Sequence, residues 1–337
     1  MHMADALLSP AVGGAMYAAS IASVAYAAHK VKLDELCDRK LPMMAVSGAF
    51  VFAAQMINFT IPVTGSSGHI GGGILLAGLL GGVPALLTLT AVLAIQCLFF
   101  ADGGLLALGA NIFNMGVLPC LVVYPLLFRP LLRKGITPRR LTLAAILSAV
   151  IGLQLGAFGV VLETLASGVT ELPFGAFAAL MQPIHLAIGA VEGVITAAIL
   201  NFVYQMRPEL LESAVGGRRV ADSASIKKTV AVTAALALLV GGGLSLYASS
   251  NPDGLEWSME QVAGTTELVR NGSVHDTAAA IQEQTAILPD YDFAAGEGTG
   301  TSISGIVGAL MTCALAGGVG LVVSVTKRKQ TKVTTGK

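Results

Sequence analysis

Charge is scarce in this sequence. Only 12% of the 337 residues are Asp, Glu, Lys or Arg, whereas these residues make up about a quarter of a soluble globular protein. Hydrophobic residues account for 54% of the chain, and the mean hydropathy is +0.76. This composition excludes a soluble globular protein and predicts an all-α polytopic protein that lies in a lipid bilayer. The formal net charge of zero argues against nucleic acid as a partner.

Cysteine is also rare, and its spacing shows no pattern. The four cysteines lie in or beside apolar runs, which indicates neither a disulfide framework nor a zinc site: Cys37, Cys97, Cys120 and Cys313. A Gly-x-x-x-x-Gly-Lys-Ser/Thr phosphate loop is missing as well. The chain is therefore not expected to use ATP by that route.

Long apolar runs are what the sequence has instead, and they predict nine membrane spans. Gly-, Pro- and Asp-containing breaks divide these runs, and one short segment would need shielding by its neighbours. The spans are about 11–28, 42–62, 70–80, 83–100, 105–128, 141–165, 174–206, 229–248 and 303–325. Polar residues 207–228 predict a linker between a first domain, 1–206, and a second domain, 229–337. The two spans of the second domain flank a long polar segment, 249–301.

The distribution of charge predicts the orientation of these spans. Basic residues cluster in alternate loops and in the tail, and the positive-inside rule assigns these regions to the cytoplasm. They are Lys30, Lys32, Arg39, Lys40, Arg129, Arg133, Lys134, Arg139, Arg140, Arg207, Arg218, Arg219, Lys227, Lys228, Lys327, Arg328, Lys329, Lys332 and Lys337. The opposite face receives the N-terminus, the loop around His69 and the segment 249–301, which is strongly acidic. We therefore expect the N-terminus outside and the C-terminus in the cytoplasm.

The first two residues form a candidate chelate. No Lys or Arg precedes Lys30, so no secretory leader is expected and Met1 is expected to be the mature N-terminus. The amine of Met1, the amide nitrogen of His2 and the His2 imidazole can close two adjacent chelate rings around one divalent ion. His69, expected on the same outer face, could supply a fourth nitrogen. Four nitrogens in a plane suit Ni²⁺ or Cu²⁺, and an amide that loses its proton favours nickel. Each histidine also has an ordinary interpretation, as a terminal residue or a surface loop residue.

Other polar residues are candidates because polar groups inside a membrane are costly. Asn111 and Asn114 lie three residues apart and share a helical face, from which they could order the terminal loop or bond to ligating imidazoles. His185 and Glu192, seven apart, also share a face and serve either structure or ion passage. For the two asparagines, contacts between helices are the alternative. For His29 and His275 we expect no special role.

Several motifs together resemble the CbiM/NikM family, the substrate-binding membrane components of energy-coupling factor (ECF) transporters for cobalt and nickel. The matching stretches are Met1-His2 with Leu8-Ser9-Pro10, 55–59 (which contains Gln55 and Asn58), Ser67-Gly68-His69, 101–111 (which begins with Ala101-Asp102), Asn114-Met115, and His185 through Glu192-Gly193. The resemblance implies a seven-helix bundle in which Met1, His2 and His69 are the metal ligands. It leaves Ser67, Asp102, Asn111 and Asn114 as residues that order the site. Gln55, Asn58, His185 and Glu192 remain polar candidates within the membrane.

The part after the linker resembles the small companion component of such transporters. Residues 251–256, Asn-Pro-Asp-Gly-Leu-Glu, are similar to its PDGLE motif. The resemblance implies a fused importer component in a prokaryotic cell membrane. Its partners would be a coupling protein (NikQ/CbiQ-like) and an ATPase (NikO/CbiO-like), and no cofactor is expected beyond the transported Ni²⁺ or Co²⁺. Nickel is slightly favoured, and cobalt uptake for cobalamin biosynthesis is the alternative. We expect the acidic segment to dock on the binding component, although it could also gather cations.

Two other functions remain open from the sequence. An intramembrane metalloenzyme could use the same ligands, with Asp102 as the obvious acid near the site. A carrier that works alone, coupled to another ion, would need carboxylates at mid-membrane, for which Glu192 is nearly the only candidate.

Overall fold

The computed structural model describes residues 1–31, 40–216, 227–293 and 300–335. Some residues on which the predictions rest lie outside these ranges: Lys32, Cys37, Arg39, Arg218, Arg219, Glu297 and Lys337. The side chains of Arg328, Lys329 and Lys332 are likewise outside the description. Within the described residues the chain is mostly helical, and its strands form a single short hairpin.

In chain order the helices are α1 (Pro10–Lys30), α2 (Lys40–Gln55), α3 (Gly73–Leu80), α4 (Gly82–Phe100), α5 (Leu108–Leu132), α6 (Pro138–Ala166), α7 (Phe174–Met206), α8 (Pro208–Gly216), α9 (Lys227–Gly242), α10 (Gly254–Ala263), α11 (Ser273–Thr285) and α12 (Gly300–Thr335). Strands β1 (Phe59–Ile61) and β2 (Ser66–Gly68) pair antiparallel, with Thr60 opposite Ser67.

Seven helical segments are long and apolar enough to cross a membrane: α1, α4, α5, α6, α7, α12, and α9 together with the short helical turn that extends it to Tyr247. The prediction of an all-α multi-pass membrane protein is confirmed. Helix α3, with 8 residues, is about 12 Å long and cannot cross a bilayer. Neighbouring elements bury nearly all residues of α3. This agrees with the prediction that the short span 70–80 needs shielding by its neighbours.

The predicted second span, 42–62, is wrong in its length. Helix α2 ends at Gln55, and residues 59–61 form strand β1. The aromatic and β-branched sequence Phe59-Thr60-Ile61 favours a strand, and Pro62 stops any regular element. A turn with positive φ at Val63 (71°) and Gly65 (75°) then reverses the chain into β2.

Helix α5 has wide, π-type turns over Ile112–Phe128 and contains Pro119 and Pro125. A proline lacks the backbone N–H and its ring conflicts with the carbonyl four residues earlier, so a regular α-helix would be interrupted here. The ring of Pro119 packs on the start of α3, where a Cβ at Gly73 would lie 2.6 Å from Pro119 Cγ. Glycine therefore lets α3 begin directly against α5.

The predicted linker, 207–228, begins with an ordered helix. Helix α8 packs on α3, and the Tyr124 hydroxyl of α5 donates to the carbonyl of Ala214 at 2.8 Å. After the linker, α9 and α12 pack together and against α2, while α10 packs on α7. The last part of the described chain therefore touches the first part at several helices.

Candidate metal site

The N-terminal segment lies inside the protein. Met1 is 6% exposed, and Met3 is fully buried. The side chain of Asn111 holds both backbone groups of Met3: Oδ1 accepts from the Met3 N–H at 2.8 Å, and Nδ2 donates to the Met3 carbonyl at 3.2 Å. The amide of Gly104 also donates to that carbonyl, at 2.9 Å. Both backbone hydrogen-bonding groups of Met3 are thus paired. These bonds fix the backbone next to Met1 and His2.

The glycines after α4 make room for this segment. A Cβ at Gly104 would lie 1.8 Å from Asp5 Oδ1 and 2.4 Å from the Asp5 amide nitrogen. The Asp5 carboxylate accepts from the Ala107 amide at 2.9 Å. Burial raises the pKa of Asp5, although hydrogen bonds from Ala107 and Leu106 oppose that shift. The terminal segment therefore packs directly on the backbone of Asp102-Gly103-Gly104.

His69 follows strand β2 and points at the terminal amine. Its Nε2 lies 3.2 Å from the nitrogen of Met1, and its Nδ1 is 3.0 Å from the carbonyl of Ile70. Donation from Nδ1 to that carbonyl leaves the lone pair of Nε2 facing Met1. Burial, and next the charge of the terminal ammonium, lowers the pKa of His69 to about 3. The imidazole is therefore neutral at physiological pH, the form that binds a metal ion.

Two polar side chains within the membrane hold the loop that carries His69. The carboxylate of Glu192 on α7 accepts from the amides of Gly71 and Gly72 at 2.9 and 3.0 Å. On the other side, Gln55 Nε2 donates to the Gly71 carbonyl at 2.9 Å. Because Gly71 and Gly72 precede α3 directly, Glu192 satisfies N–H groups at the start of that helix. Gln55 and Glu192 thus orient the His69 loop.

His2 lies beside His69 and pairs with a carboxylate. The two imidazole rings stack with their centres 5.1 Å apart and an interplanar angle of 15°. His2 Nδ1 is 3.0 Å from Asp102 Oδ1, and the other oxygen of Asp102 accepts from the hydroxyl of Tyr291. Burial alone would raise the pKa of Asp102, but the charge and hydrogen bond of His2 hold it below its ordinary value.

The PDGLE motif docks on the same place. Asp253 Oδ2 lies 2.5 Å from the Met1 nitrogen, and Asp253 Oδ1 accepts from the amides of Leu255 and Glu256 at 2.8 and 2.9 Å. Glu256 returns a bond to the Asp253 amide, so the pair forms a capping box at the start of α10. Burial alone would raise the pKa of Asp253, but the terminal ammonium holds it below its ordinary value.

Ser67 completes this docking from the strand side. Its amide donates to the Pro252 carbonyl at 2.8 Å, and its hydroxyl donates to the Asn251 carbonyl at 2.7 Å. On the α7 side, a Cβ at Gly254 would lie 2.7 Å from Ile188 Cδ1. The motif thus joins the terminal amine, the His69 strand and α7.

An acidic cavity of about 690 Å³ opens above His2 and His69. We call it the vestibule. Most charged residues of its lining are carboxylates. Of the described residues that line it, Arg270 is the only Lys or Arg. The carboxylates are Asp5, Asp102, Asp253, Glu256, Glu267, Asp276 and Asp290. Clustered charge of one sign in a cleft raises the local concentration of counter-ions, here cations.

The remaining sequence candidates make no hydrogen bond to the terminal amine in the described structure. Asn58 lines the vestibule. Asn114 does not touch the terminal segment through a hydrogen bond in the described structure; its Nδ2 donates to Glu163 on α6 at 2.8 Å. His185 and Glu192 bond to different partners, since His185 Nδ1 donates to the Met181 carbonyl at 2.8 Å.

Sequence reasoning missed several residues that hold the site together. His275 Nε2 donates to the Leu8 carbonyl at 2.9 Å, and Gln282 Nε2 donates to the Gly103 carbonyl at 2.7 Å. Both come from α11, whose polar sequence gives no sign of such contacts. Asp253 could have been suspected from its motif, whereas nothing in the sequence points to Tyr291.

In the described residues no three His, Cys, Asp or Glu side chains converge as a metal cluster. The candidate donors are instead two imidazoles and two backbone nitrogens, those of Met1 and His2. In this arrangement the amine pairs with Asp253 and the His2 ring pairs with Asp102. For all four nitrogens to bind a metal ion, the amine would have to lose its ammonium proton and His2 Nδ1 its contact with Asp102.

Comparison with known proteins places this geometry in context. Residues 2–210 match the family model described as "Cobalt uptake substrate-specific transmembrane region", and residues 227–325 match the PDGLE domain. The chain is 31% identical to a putative fused nickel transport protein NikMN of Archaeoglobus fulgidus, over 94% of this chain and 96% of that protein. It is also 31% identical to a probable fused nickel transport protein LarMN of Lactiplantibacillus plantarum, over 78% and 79% of the two chains.

A solved structure is similar as well. The crystal structure of a truncated transition metal transporter is 32% identical to this chain, with a TM-score of 0.53, and covers 61% of this chain and 99% of the other.

Proposed function

The chain belongs to the family of cobalt uptake substrate-specific transmembrane proteins, fused to a PDGLE domain, and we propose that it captures Ni²⁺ or Co²⁺ with Met1, His2 and His69. The observation that carries this proposal is the approach of the buried Met1 nitrogen to His69 Nε2, at 3.2 Å. Two nitrogen donors from distant parts of the chain share one buried place, and the second residue of the chain adds two more.

The chemistry of the donors favours a late divalent ion. The Met1 amine, the His2 amide nitrogen and the His2 imidazole close two adjacent rings, and His69 Nε2 supplies the fourth nitrogen. Imidazole suits several first-row metals, whereas a square of nitrogens suits Ni²⁺. Nickel also displaces an amide proton more readily than Co²⁺ does. We therefore favour nickel, with cobalt as the alternative. The relatives of Archaeoglobus and Lactiplantibacillus are named as a putative and a probable nickel transport protein.

We place the site on the outer face of a prokaryotic cell membrane. The vestibule lies between the end of α4 and the start of α5, since Ala101, Asp102 and Gly104 belong to its lining. The basic stretch between α5 and α6 and the basic Arg207 lie where α5 and α7 end. The positive-inside rule assigns those helix ends to the cytoplasm.

Transport then needs partner subunits. The sequence has no phosphate loop of the Walker type, so we propose that a coupling protein and an ATPase of the energy-coupling factor type drive release. Both oxygens of Glu192 accept backbone N–H bonds. This argues against a carrier that works alone and uses Glu192 to couple transport to another ion. Asp102 is similarly engaged with His2 and Tyr291, which argues against its use as a free acid in an enzyme.

A calorimetric titration of the purified full chain with Ni²⁺ and Co²⁺ tests the proposal. We expect one ion per chain, and a loss of affinity of at least 100-fold in His69→Ala. His29→Ala is the matched control, since His29 is exposed at the end of α1. Equal affinity of the His69→Ala variant and the wild type would contradict the ligand set.

A further inference from the structure

His185 is a buried imidazole with one nitrogen left over. It is 1% exposed, its Nδ1 donates to the Met181 carbonyl at 2.8 Å, and its Nε2 has no hydrogen-bond partner in the described structure. An unpaired polar atom at such a depth costs free energy. An imidazole nitrogen with a free lone pair is also a group that can ligate a metal ion.

His185 also lines a small cavity next to the candidate metal donors. This cavity has a volume of about 10 Å³, and its lining includes Met1, His69, His185 and Asp253. That volume is about the size of one probe sphere and so accommodates a single small species rather than a hydrated ion. His69 and Asp253 therefore line both the vestibule and this inner cavity, whereas Met1 lines the inner cavity.

The PDGLE motif closes the cavity from the other side. A Cβ at Gly254 would lie 3.1 Å from His185 Cε1 and 3.4 Å from its Nε2. Asp253 and Gly254 both belong to the lining. Movement of this motif would thus change the surroundings of His185 directly.

A second cavity continues deeper along α7. It has a volume of about 20 Å³, shares Met1, Gly71, Met115 and Leu153 with the first, and reaches Glu192. Glu192 follows His185 by seven residues, which is about 10 Å along a helix. The two cavities therefore mark a direction from the terminal amine toward the middle of the bundle.

We propose that His185 Nε2 is a ligand of an inner metal position, which one Ni²⁺ or Co²⁺ ion occupies after it leaves the His2 donors. The inference rests on the proposed function, because it takes Met1 and His69 as ligands of the first position. The ion exchanges the His2 nitrogens for His185 Nε2, while His69 stays in reach of both positions. The His2 amide then takes up a proton from the vestibule water, the reverse of the release on binding.

Two substitutions separate this role from a structural one. His185→Asn keeps an amide donor near the place of Nδ1, so the bond to Met181 is retained, while Nε2 is removed. His185→Gln instead places an amide near Nε2, where it can bond to a water molecule but is a poor replacement for an imidazole ligand. His29→Ala is the control for a histidine outside the site.

The experiment measures Ni²⁺ affinity of the purified full chain and ATP-driven uptake of radioactive Ni²⁺ into vesicles that contain the assembled transporter. Both His185 variants are expected to bind Ni²⁺ within 3-fold of the wild type and to lower uptake at least 10-fold. Uptake within 2-fold of the wild type in both variants would overturn the inference. Near-normal uptake in His185→Gln alone would also overturn it, and would indicate that His185 binds a water molecule instead. A loss of equilibrium binding would also overturn it, since His185 would then belong to the first position. Failure of the proposed function is distinct, because the wild type itself would bind no Ni²⁺.

Discussion

The carboxylate of Asp253 lies 2.5 Å from the terminal nitrogen of Met1, across 252 residues of sequence. Both groups are largely buried, with side-chain exposures of 15% and 4%. The acid of the PDGLE motif thus pairs with the nitrogen that we propose as a metal ligand. An amine that ligates a metal ion is an uncharged –NH2 group, which keeps two N–H bonds but has lost the ammonium charge. The full ion pair with Asp253 therefore belongs to the metal-free protein.

Asp253→Asn is therefore expected to destabilise the metal-free protein more than the Ni²⁺-loaded protein. Asparagine still caps α10, but the terminal ammonium loses its ionic partner, which costs about 2 kcal/mol. The measurement is thermal unfolding of the purified chain with and without Ni²⁺. By linkage, the variant should also bind Ni²⁺ more tightly, by roughly 30-fold if the whole 2 kcal/mol is recovered. Equal losses of stability in both states would contradict this account.

Glu192→Gln is expected to weaken Ni²⁺ binding by about tenfold, in keeping with the cost of losing a group that orients a ligand. An amide can accept only one of the two N–H bonds from Gly71 and Gly72, and its own N–H₂ would face the other. The His69 loop would shift as a result. Glu163→Gln is the matched control, because Glu163 is also buried but bonds to Asn114 away from the loop. Similar affinities of the two variants in a calorimetric titration would rule out the proposed role of Glu192.

Asn111→Ala should weaken Ni²⁺ binding by about tenfold or more, since it leaves the buried N–H of Met3 without its side-chain acceptor. The terminal segment would then lose the contact that sets Met1 and His2 in place. Asn114→Ala removes an amide of the same helix that bonds to Glu163 instead, and it should keep the affinity of the wild type. The idea fails if competition titrations place both variants at the same affinity.

The membrane architecture could be predicted because it depends on local properties. Apolar runs and the positions of the basic residues follow from the sequence without knowledge of packing. The short α3 could also be anticipated from the glycines and Pro84 that bound its segment. The end of α2 was missed, because the residues after Gln55 are as apolar as a helix but pair with β2 instead.

The candidate site could be predicted only in its donors. Met1, His2 and His69 are chemically distinctive, and the structure brings Met1 and His69 together. The contacts that position them depend on tertiary packing: Glu192 on Gly71, Asn111 on Met3, and Asp253 on Met1. No local sequence pattern predicts that a carboxylate accepts hydrogen bonds from the backbone N–H groups at the start of another helix. The pairing expected for His185 and Glu192 by their spacing gives way to separate partners for the same reason.

The most direct test of the site adds one glycine before Met1. The extension moves the free amine by about 3.5 Å and turns the Met1 nitrogen into an amide, while every side chain stays the same. Calorimetry of the purified full chain with Ni²⁺ compares the extended and the original protein. We expect the affinity to fall at least 100-fold, because the chelate starts at the first nitrogen of the chain. An affinity within 2-fold of the original protein would contradict the account.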